Sequence, residues 1–142
     1  MESVIQIIEA YRETGRKITP QRHAVMSVLA GNRTHPTAEA VHTAVTATMP
    51  TVSLRTVYSV LAELVELGEV VQLDLGTGSA RFDPNTGAHH HLVCERCGAV
   101  SDVHVDHPDV RPLPTDAGDF RIAGTQIVFR GECARCTSTS VT

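Results

Sequence analysis

Two C-x-x-C pairs constrain the fold of this chain more than any other feature. Cys94 and Cys97 form the first pair, and Cys133 and Cys136 repeat the spacing near the C-terminus. At this spacing a tight turn lets two thiolates bind one tetrahedral metal ion. The chain has no other cysteine, so the four side chains complete one four-thiolate site. The sequence therefore predicts a structural zinc ion that joins two distant segments.

Length and cysteine content limit the class of protein. A chain of 142 residues forms one domain or two small ones, and small domains gain stability from a structural metal. The sequence has no signal-peptide pattern and no apolar run long enough to span a bilayer, which predicts a cytoplasmic protein without a membrane partner. Cysteines stay reduced in that compartment, so zinc is favoured over the alternative of two disulfides.

A second group of candidate ligands precedes the first cysteine pair. His89 and His91 have the spacing that places two side chains on one face of a strand, with His90 on the other face. Imidazoles with nearby carboxylates suit Fe(II), Mn(II) or another borderline ion, whereas thiolates suit zinc. We therefore expect two metal sites with different roles.

Charge is distributed unevenly along the chain, whose formal net charge is −4. Residues 1–60 contain six basic and four acidic side chains, whereas the remainder contains six basic and twelve acidic ones. The first part is therefore mildly basic, which suits phosphate, and the second is acidic, which suits cations.

Helical patterns dominate the N-terminal part. A first helix is predicted at 2–14, and Thr19, Thr37 and Ser53 are placed to cap three more, the last running from 54 to 67. Two short helices joined by a tight turn, the second with polar and basic residues at its start, match a helix-turn-helix, whose second helix enters the major groove of DNA. A plain helical packing unit is the alternative. The side chains expected on the buried faces are Val4, Ile5, Ile8, Tyr11, Val25, Val28, Leu29, Val41, Val45, Met49, Val57, Val60, Leu61 and Leu64.

Strand patterns follow the helices. Alternating apolar residues at 69–75 and a return at 80–83 predict the hairpin of a winged helix, and the polar turn residues after it predict a hinge. Three prolines disfavour a regular helix between 106 and 118, and residues 137–142 are expected to fray. Further strands are predicted at 89–93, 99–105 and 120–130.

The predicted fold class is α+β with two domains. Residues 1–83 form a winged helix-turn-helix DNA-binding domain, and residues 84–142 form a small α/β dimerisation domain that holds the four-cysteine zinc site.

A set of ordered motifs resembles the ferric uptake regulator family, most closely its peroxide-sensing branch. The resemblance extends over roughly residues 10–136. The motifs are ITPQRH at 18–23, HPTA at 35–38, TVY at 56–58, RFD at 81–83, HHH at 89–91 and both C-x-x-C pairs.

The resemblance implies a metal-dependent transcriptional repressor, not an enzyme, that binds palindromic operator DNA as a homodimer. It implies structural zinc on the four cysteines and a regulatory Fe(II) or Mn(II) ion on His35, Asp83, His89, His91 and Asp102. In that branch hydrogen peroxide is the signal. It reacts at Fe(II) and oxidises a ligand histidine, which here would be His35 or His89. The oxidised protein releases its operator, and oxidative-stress genes are expressed.

Basic and polar residues at two helix starts are the predicted DNA contacts. Arg55 and Tyr58 are the strongest candidates, since they lie near the start of the second helix of the helix-turn-helix. The full set is Arg16, Lys17, Gln21, Arg22, Arg55, Thr56, Tyr58 and Ser59.

The chain departs from the family at two places. Residues 120–130 contain no histidine, so a further metal site that many relatives build in their last strand is expected to be absent. Prolines occupy the 106–114 segment where relatives have a helix, so the local dimer packing should differ.

Three other functions remain as alternatives. The first is a regulator of the same family that senses the supply of iron, manganese, zinc or nickel and controls uptake genes. The second is a zinc hydrolase or deaminase, disfavoured because the chain has no H-x-E motif and no proline before Cys94 or Cys133. The third is a protein-binding zinc module.

Overall fold

The computed structural model of the chain describes residues 3–76, 78–87, 89–106 and 110–139. The chain forms two compact units, Met1–Gly87 and Ala88–Thr142, and the sequence-based boundary followed residue 83. Among the described residues, no helix is both long enough and apolar enough to cross a membrane.

Four helices and a β-hairpin form the first unit. Each helix starts after a Ser or Thr whose hydroxyl accepts a hydrogen bond from the backbone N–H three residues later, which satisfies a donor that the helix itself leaves unpaired. The order of the elements is that of a winged helix-turn-helix, with α3 and α4 as the helix pair and the hairpin as the wing. The elements are α1 (Val4–Glu13), α2 (Pro20–Leu29), α3 (Ala38–Thr46), α4 (Leu54–Glu66), β1 (Val71–Leu73) and β2 (Arg81–Asp83).

The apolar core of the first unit matches the sequence prediction best in α4. All four side chains predicted for its inner face, from Val57 to Leu64, are buried. The prediction for α1 was wrong at Ile5, which is 68% exposed, whereas Ile7 and Tyr11 are fully buried. Met26 also joins the core and was not predicted.

A three-stranded sheet forms the second unit. Strand β3 lies in the centre, antiparallel to β4 and parallel to β5. The elements are β3 (His90–Cys94), β4 (Val100–Val103), α5 (Pro114–Ala117), β5 (Val128–Gly131) and α6 (Ala134–Thr139).

Three sequence predictions fail in the second unit. The last strand is shorter than 120–130, because within the described residues only 128–131 pair with a neighbouring strand. The proline-rich segment contains a short helix, since Pro114 occupies the first helical turn, where proline is tolerated. Residues 137–139 continue α6 rather than fraying, and 140–142 lie outside the described residues.

Candidate metal centres and DNA-binding face

The two cysteine pairs converge in the second unit. One sulfur from each cysteine lies within 4.8 Å of the other three, and the Sγ atoms of Cys97 and Cys133 are 3.8 Å apart. Four sulfurs at the usual zinc–sulfur distance of about 2.3 Å form a tetrahedron with edges of about 3.8 Å. In the described residues, which include all four cysteines, no disulfide joins them. The donor set therefore fits a closed tetrahedral zinc site.

Hydrogen bonds prepare the first pair to act as thiolates. The backbone N–H groups of Cys133 and Cys97 point at Cys94 Sγ, at 3.3 and 3.4 Å, and they lower the pKa of Cys94 to about 6. The N–H of Ala99 lowers the pKa of Cys97. A hydrogen bond to the Cys133 sulfur, followed by burial, raises the pKa of Cys136 to about 12. Zinc binding would displace the protons that these thiols carry.

His35 and Asp83 form a buried pair in the first unit. The imidazole Nε2 lies 3.2 Å from Asp83 Oδ2, and both side chains are at most 3% exposed. Two contacts position the histidine: Phe82 N–H donates to the Pro36 carbonyl, and Arg81 Nη1 donates to the His35 carbonyl at 3.2 Å. These contacts tie the loop before α3 to strand β2. His35 has a φ of +52°, a left-handed conformation that an L-residue rarely adopts.

His89, His91 and Asp102 form the second group of donors, in the second unit. Asp102 is the antiparallel partner of His91 across β3 and β4. Its Oδ1 lies 3.3 Å from His89 Nε2 and 3.7 Å from His91 Nε2. The two imidazole rings meet edge to face with centroids 4.7 Å apart. Nitrogen and carboxylate donors so arranged suit a borderline ion such as Fe(II) or Mn(II).

The ring of His90 has a different role from its two neighbours. Its Nδ1 accepts a hydrogen bond of 3.0 Å from the Ile127 N–H. His91 is steadied from the same segment, since the amide of Gln126 lies 3.3 Å from its Nδ1. An outer partner of this kind fixes which ring nitrogen is available to a metal. Sequence reasoning did not identify Gln126, because nothing in the sequence marks it.

Two arginines beside the cysteines were also missed. Arg96 and Arg135 occupy the same third position of their C-x-x-C pairs, and this repeated C-x-R-C pattern is a signal that the sequence does carry.

All the predicted DNA contacts from α2 and α4 except Tyr58 line one open cleft. It is lined by Thr19, Gln21, Arg22, Arg55, Thr56, Ser59, Val60 and Glu63. Arg55 is exposed at the start of α4, and no ion pair among the described residues holds it. Lys17, in the segment before α2, is also exposed.

Other predicted DNA contacts have partners inside the first unit. Arg22 donates two hydrogen bonds of 2.9 Å to the Glu63 carboxylate, and Arg16 lies 3.2 Å from Glu66. The Tyr58 hydroxyl donates to Glu39 at 2.9 Å, and the Thr56 side-chain oxygen lies 3.0 Å from the hydroxyl of Ser53, the N-cap of the helix. Arg55 is therefore better placed than Arg16 or Arg22 to reach DNA without breaking an existing bond.

Comparison with known proteins agrees with this architecture. The model of the Ferric uptake regulator family matches residues 13–127. The chain belongs to this family. The family match ends before Cys133. The assignment of the second cysteine pair to the metal centre therefore rests on the sulfur distances described above.

Relatives of this ferric uptake regulator family member include peroxide regulators. The peroxide-responsive repressor PerR of Staphylococcus epidermidis is 36% identical over 130 residues, 91% of this chain and 87% of that protein. The peroxide operon regulator of Bacillus subtilis is 36% identical over 133 residues, 93% of this chain and 92% of that protein. PerR from Streptococcus pyogenes, a solved structure described as a basis for peroxide sensing and gene regulation, is 27% identical with a TM-score of 0.56 and coverage of 96% and 94%.

Proposed function

We propose that this protein is a metal-dependent transcriptional repressor that responds to hydrogen peroxide and controls oxidative-stress genes. The observation that carries the proposal is the buried pair of His35 and Asp83, 3.2 Å apart. An aspartate at position 83 resembles the peroxide-sensing branch more than the others. Similarity to peroxide-responsive repressors over nine-tenths of the chain supports the same function.

The regulatory ion is the physical link between the two units in this proposal. His35 and Asp83 belong to the first unit, and His89, His91 and Asp102 belong to the second. An ion bound by all five would favour one arrangement of the units and would neutralise two carboxylates that repel DNA. A coupling of about 3 kcal/mol would change DNA affinity by roughly a hundredfold.

Peroxide sensing depends on an open ligand position. Five protein donors would leave room at the ion for one further ligand. An Fe(II) ion held by these donors would activate hydrogen peroxide by electron transfer. Overall, one peroxide oxygen inserts into the C–H bond of a ligand imidazole to give 2-oxo-histidine, the other leaves as water, and the ring is the group that is oxidised by two electrons. We assign the modification to His89 or His35. An oxidised ring binds metal poorly, so the link between the units is lost.

The zinc centre has a structural role in this proposal, and we assign no substrate turnover to it. Four thiolates from Cys94, Cys97, Cys133 and Cys136 fill a tetrahedral shell and leave no position for a substrate.

DNA recognition requires two copies of the winged helix. A homodimer would place two α4 helices on neighbouring half-sites of a palindromic operator. Exposed apolar side chains in the second unit, such as Phe120 at 76% and Leu113 at 66%, are candidates for the dimer surface. A protein that binds operator DNA would act in the cytoplasm, because a bacterial chromosome lies there.

Mass spectrometry of the peroxide-treated protein tests the function. The Fe(II)-loaded protein, treated anaerobically with stoichiometric peroxide, should gain one oxygen on the peptide that contains His35 or His89 and lose operator binding in a gel shift. The Mn(II)-loaded protein should bind DNA and resist the same treatment.

His89→Ala and His90→Ala form a matched pair of variants for this test. The first should lose peroxide-responsive binding, whereas the second should keep it, because His90 bonds to Ile127 rather than to the donor group. If Fe(II) activates DNA binding but peroxide neither modifies a histidine nor releases DNA, the protein is instead a sensor of metal supply.

The salt dependence of operator binding tests the DNA face. Arg55→Ala should weaken binding and reduce the slope of log K against log salt by about one, because one phosphate contact is lost. Arg121→Ala, an exposed arginine of the second unit, is the control and should leave the slope unchanged.

A further inference from the structure

The Tyr58 hydroxyl joins the two helices of the helix-turn-helix. It donates a hydrogen bond of 2.9 Å to Oε1 of Glu39, so a side chain of α4 is bound to the first turn of α3. Both side chains are exposed, Tyr58 at 44%. The bond therefore lies at the protein surface, open to an incoming ligand.

The outer face of α4 carries Tyr58 together with other predicted DNA contacts. Tyr58 and Ser59 lie three and four positions after Arg55, a spacing that places all three on one face of a helix. The three side chains are exposed. The front of the second helix of a helix-turn-helix enters the major groove. Tyr58 would therefore meet a base edge with its hydroxyl already bound to Glu39.

The bond to Glu39 decides which hydrogen bond the Tyr58 hydroxyl can still make. A phenol hydroxyl has one proton to donate and lone pairs with which to accept. A glutamate is ionised near pH 7 and can only accept, so the Tyr58 proton is committed to Glu39 and only lone pairs remain for DNA. In the major groove adenine and cytosine present amino groups that donate to such an acceptor, whereas guanine and thymine present no donor there.

We propose that Glu39 is a positioning residue for base recognition: it makes the Tyr58 hydroxyl an acceptor, so that Tyr58 selects adenine or cytosine at one position of each half-site. Glu39 acts through Tyr58 and touches no base. Its negative charge beside the DNA-binding face repels phosphate whatever the base sequence. Glu39 therefore lowers general affinity and raises discrimination, since specificity is a difference between two affinities. This inference rests on the DNA binding proposed above, but not on the response to peroxide.

The expected effects are moderate because solvent competes for a hydrogen bond at the surface. One hydrogen bond to a base should favour adenine or cytosine over guanine or thymine by roughly fivefold in the wild type. In Glu39→Ala the freed hydroxyl can donate as well as accept, so this preference should fall below about twofold. The same variant should bind non-specific duplex roughly twofold more tightly at low salt, because a repulsive charge is gone.

Selection from a randomised duplex DNA library tests the proposal with the full-length protein loaded with zinc and Mn(II). Sequencing of the bound fraction gives the base preferences of the wild type, and Tyr58→Phe identifies the position that the hydroxyl reads. Duplexes with each of the four bases at that position are then compared by gel shift.

Two further variants separate the hydrogen bond from the charge. Glu39→Gln keeps a side-chain oxygen for Tyr58 but no charge, so it should keep most of the base preference and share the gain in non-specific affinity. Glu9→Ala removes an exposed glutamate from α1. It is the control and should leave the base preference unchanged.

Three outcomes would overturn the proposal. If Tyr58→Phe changes no base preference, the hydroxyl does not read a base. If Glu39→Ala keeps the wild-type preference, the carboxylate does not set the role of the hydroxyl. If Glu39→Ala and Glu39→Gln weaken binding to every duplex equally, Glu39 only supports the fold of the helix pair. A wild-type protein without salt-dependent binding to any duplex would instead contradict the DNA binding on which this inference rests.

Discussion

The two units of the molecule are stabilised in different ways. The hydrophobic core cluster lies in the first unit, where it packs α1 to α4 against the hairpin. In the described part of the second unit, the buried apolar residues are Val93 and two of the cysteines, Cys94 and Cys136. Leu92, Phe120 and Phe129 in the same unit are each more than 40% exposed.

The difference shows what the metal contributes. The first unit has an extensive apolar core, which favours folding by the hydrophobic effect. The described part of the second unit has little apolar burial, so we expect it to depend on zinc. Zinc loss should therefore unfold the second unit alone, and core mutations should destabilise the first unit alone. The following predictions test this division, from the largest expected effect to the smallest.

Removing zinc should unfold the second unit. Structural zinc contributes on the order of 10 kcal/mol of binding energy coupled to folding. Chelation, or Cys94→Ser, should abolish amide protection in β3, β4 and β5 and leave α2 to α4 protected in hydrogen–deuterium exchange. Adding zinc back to the chelated wild type should restore protection. If the second unit stays protected after metal analysis confirms zinc loss, its apolar contacts suffice and the comparison fails.

Shortening a core side chain should destabilise only the first unit. Leu61 is fully buried in α4, so Leu61→Ala should cost about 3 kcal/mol of unfolding free energy through lost contacts and a cavity. Tyrosine fluorescence reports this unit, because Tyr11 and Tyr58 are the only tyrosines of the chain. Ile5→Ala, at a position 68% exposed, should change stability by less than about 0.5 kcal/mol. Loss of bound zinc from Leu61→Ala would argue against independent units.

The bond between Arg22 and Glu63 should make the first unit sensitive to acid. The hydrogen bond from Arg22 lowers the pKa of Glu63 in the folded state, so its stabilisation is present above the unfolded pKa and is lost as pH falls through the folded one. Glu63→Gln should cost about 2 kcal/mol at pH 7, and the difference from wild type should disappear as the pH falls below the ordinary glutamate range and through the lowered folded pKa of Glu63.

Urea denaturation followed by circular dichroism across pH measures this effect. Glu66→Gln is the control, because the Glu66 side chain is 71% exposed in its pair with Arg16 and should contribute little. Equal, pH-independent losses in both variants would contradict the special role of Glu63.

Removing the N-cap of α4 should have the smallest effect on stability. The Ser53 hydroxyl accepts the Thr56 N–H at 3.1 Å, so Ser53→Ala should cost about 1 kcal/mol. Ser53→Asp retains a side-chain acceptor and should keep most of the stability that Ser53→Ala loses. The same urea titration is suitable, with Ser59→Ala, at an exposed site outside the cap, as the control; a loss there as large as at Ser53 would exclude capping as the cause.

Helix α4 could be predicted from sequence because its apolar residues fall on one stripe between polar ones. Helix α1 was also predicted, but one residue of its buried face was not, since Ile5, Ile7 and Ile8 are crowded together and periodicity alone does not decide which faces inward. Tertiary packing selected Ile7, one turn before Tyr11.

The candidate metal centres were predictable as residue types but not as geometry. The C-x-x-C spacing identified the four cysteines, and strand spacing identified His89 and His91. Family resemblance supplied His35, Asp83 and Asp102. The register that places Asp102 opposite His91 depends on how β3 and β4 pair, which spacing does not determine. The hydrogen bond from Arg96 to the Cys136 carbonyl joins residues 40 positions apart in the sequence, so a local pattern cannot reveal it.

The left-handed backbone of His35 sets stability and function against each other at one position. An L-residue pays about 1–2 kcal/mol for this conformation, which glycine adopts without that cost. Glycine at position 35 would relieve this backbone strain, but it would also remove a buried imidazole and its pair with Asp83. The conformational cost is therefore the part of stability that the chain gives up at this position in order to carry a ligand side chain.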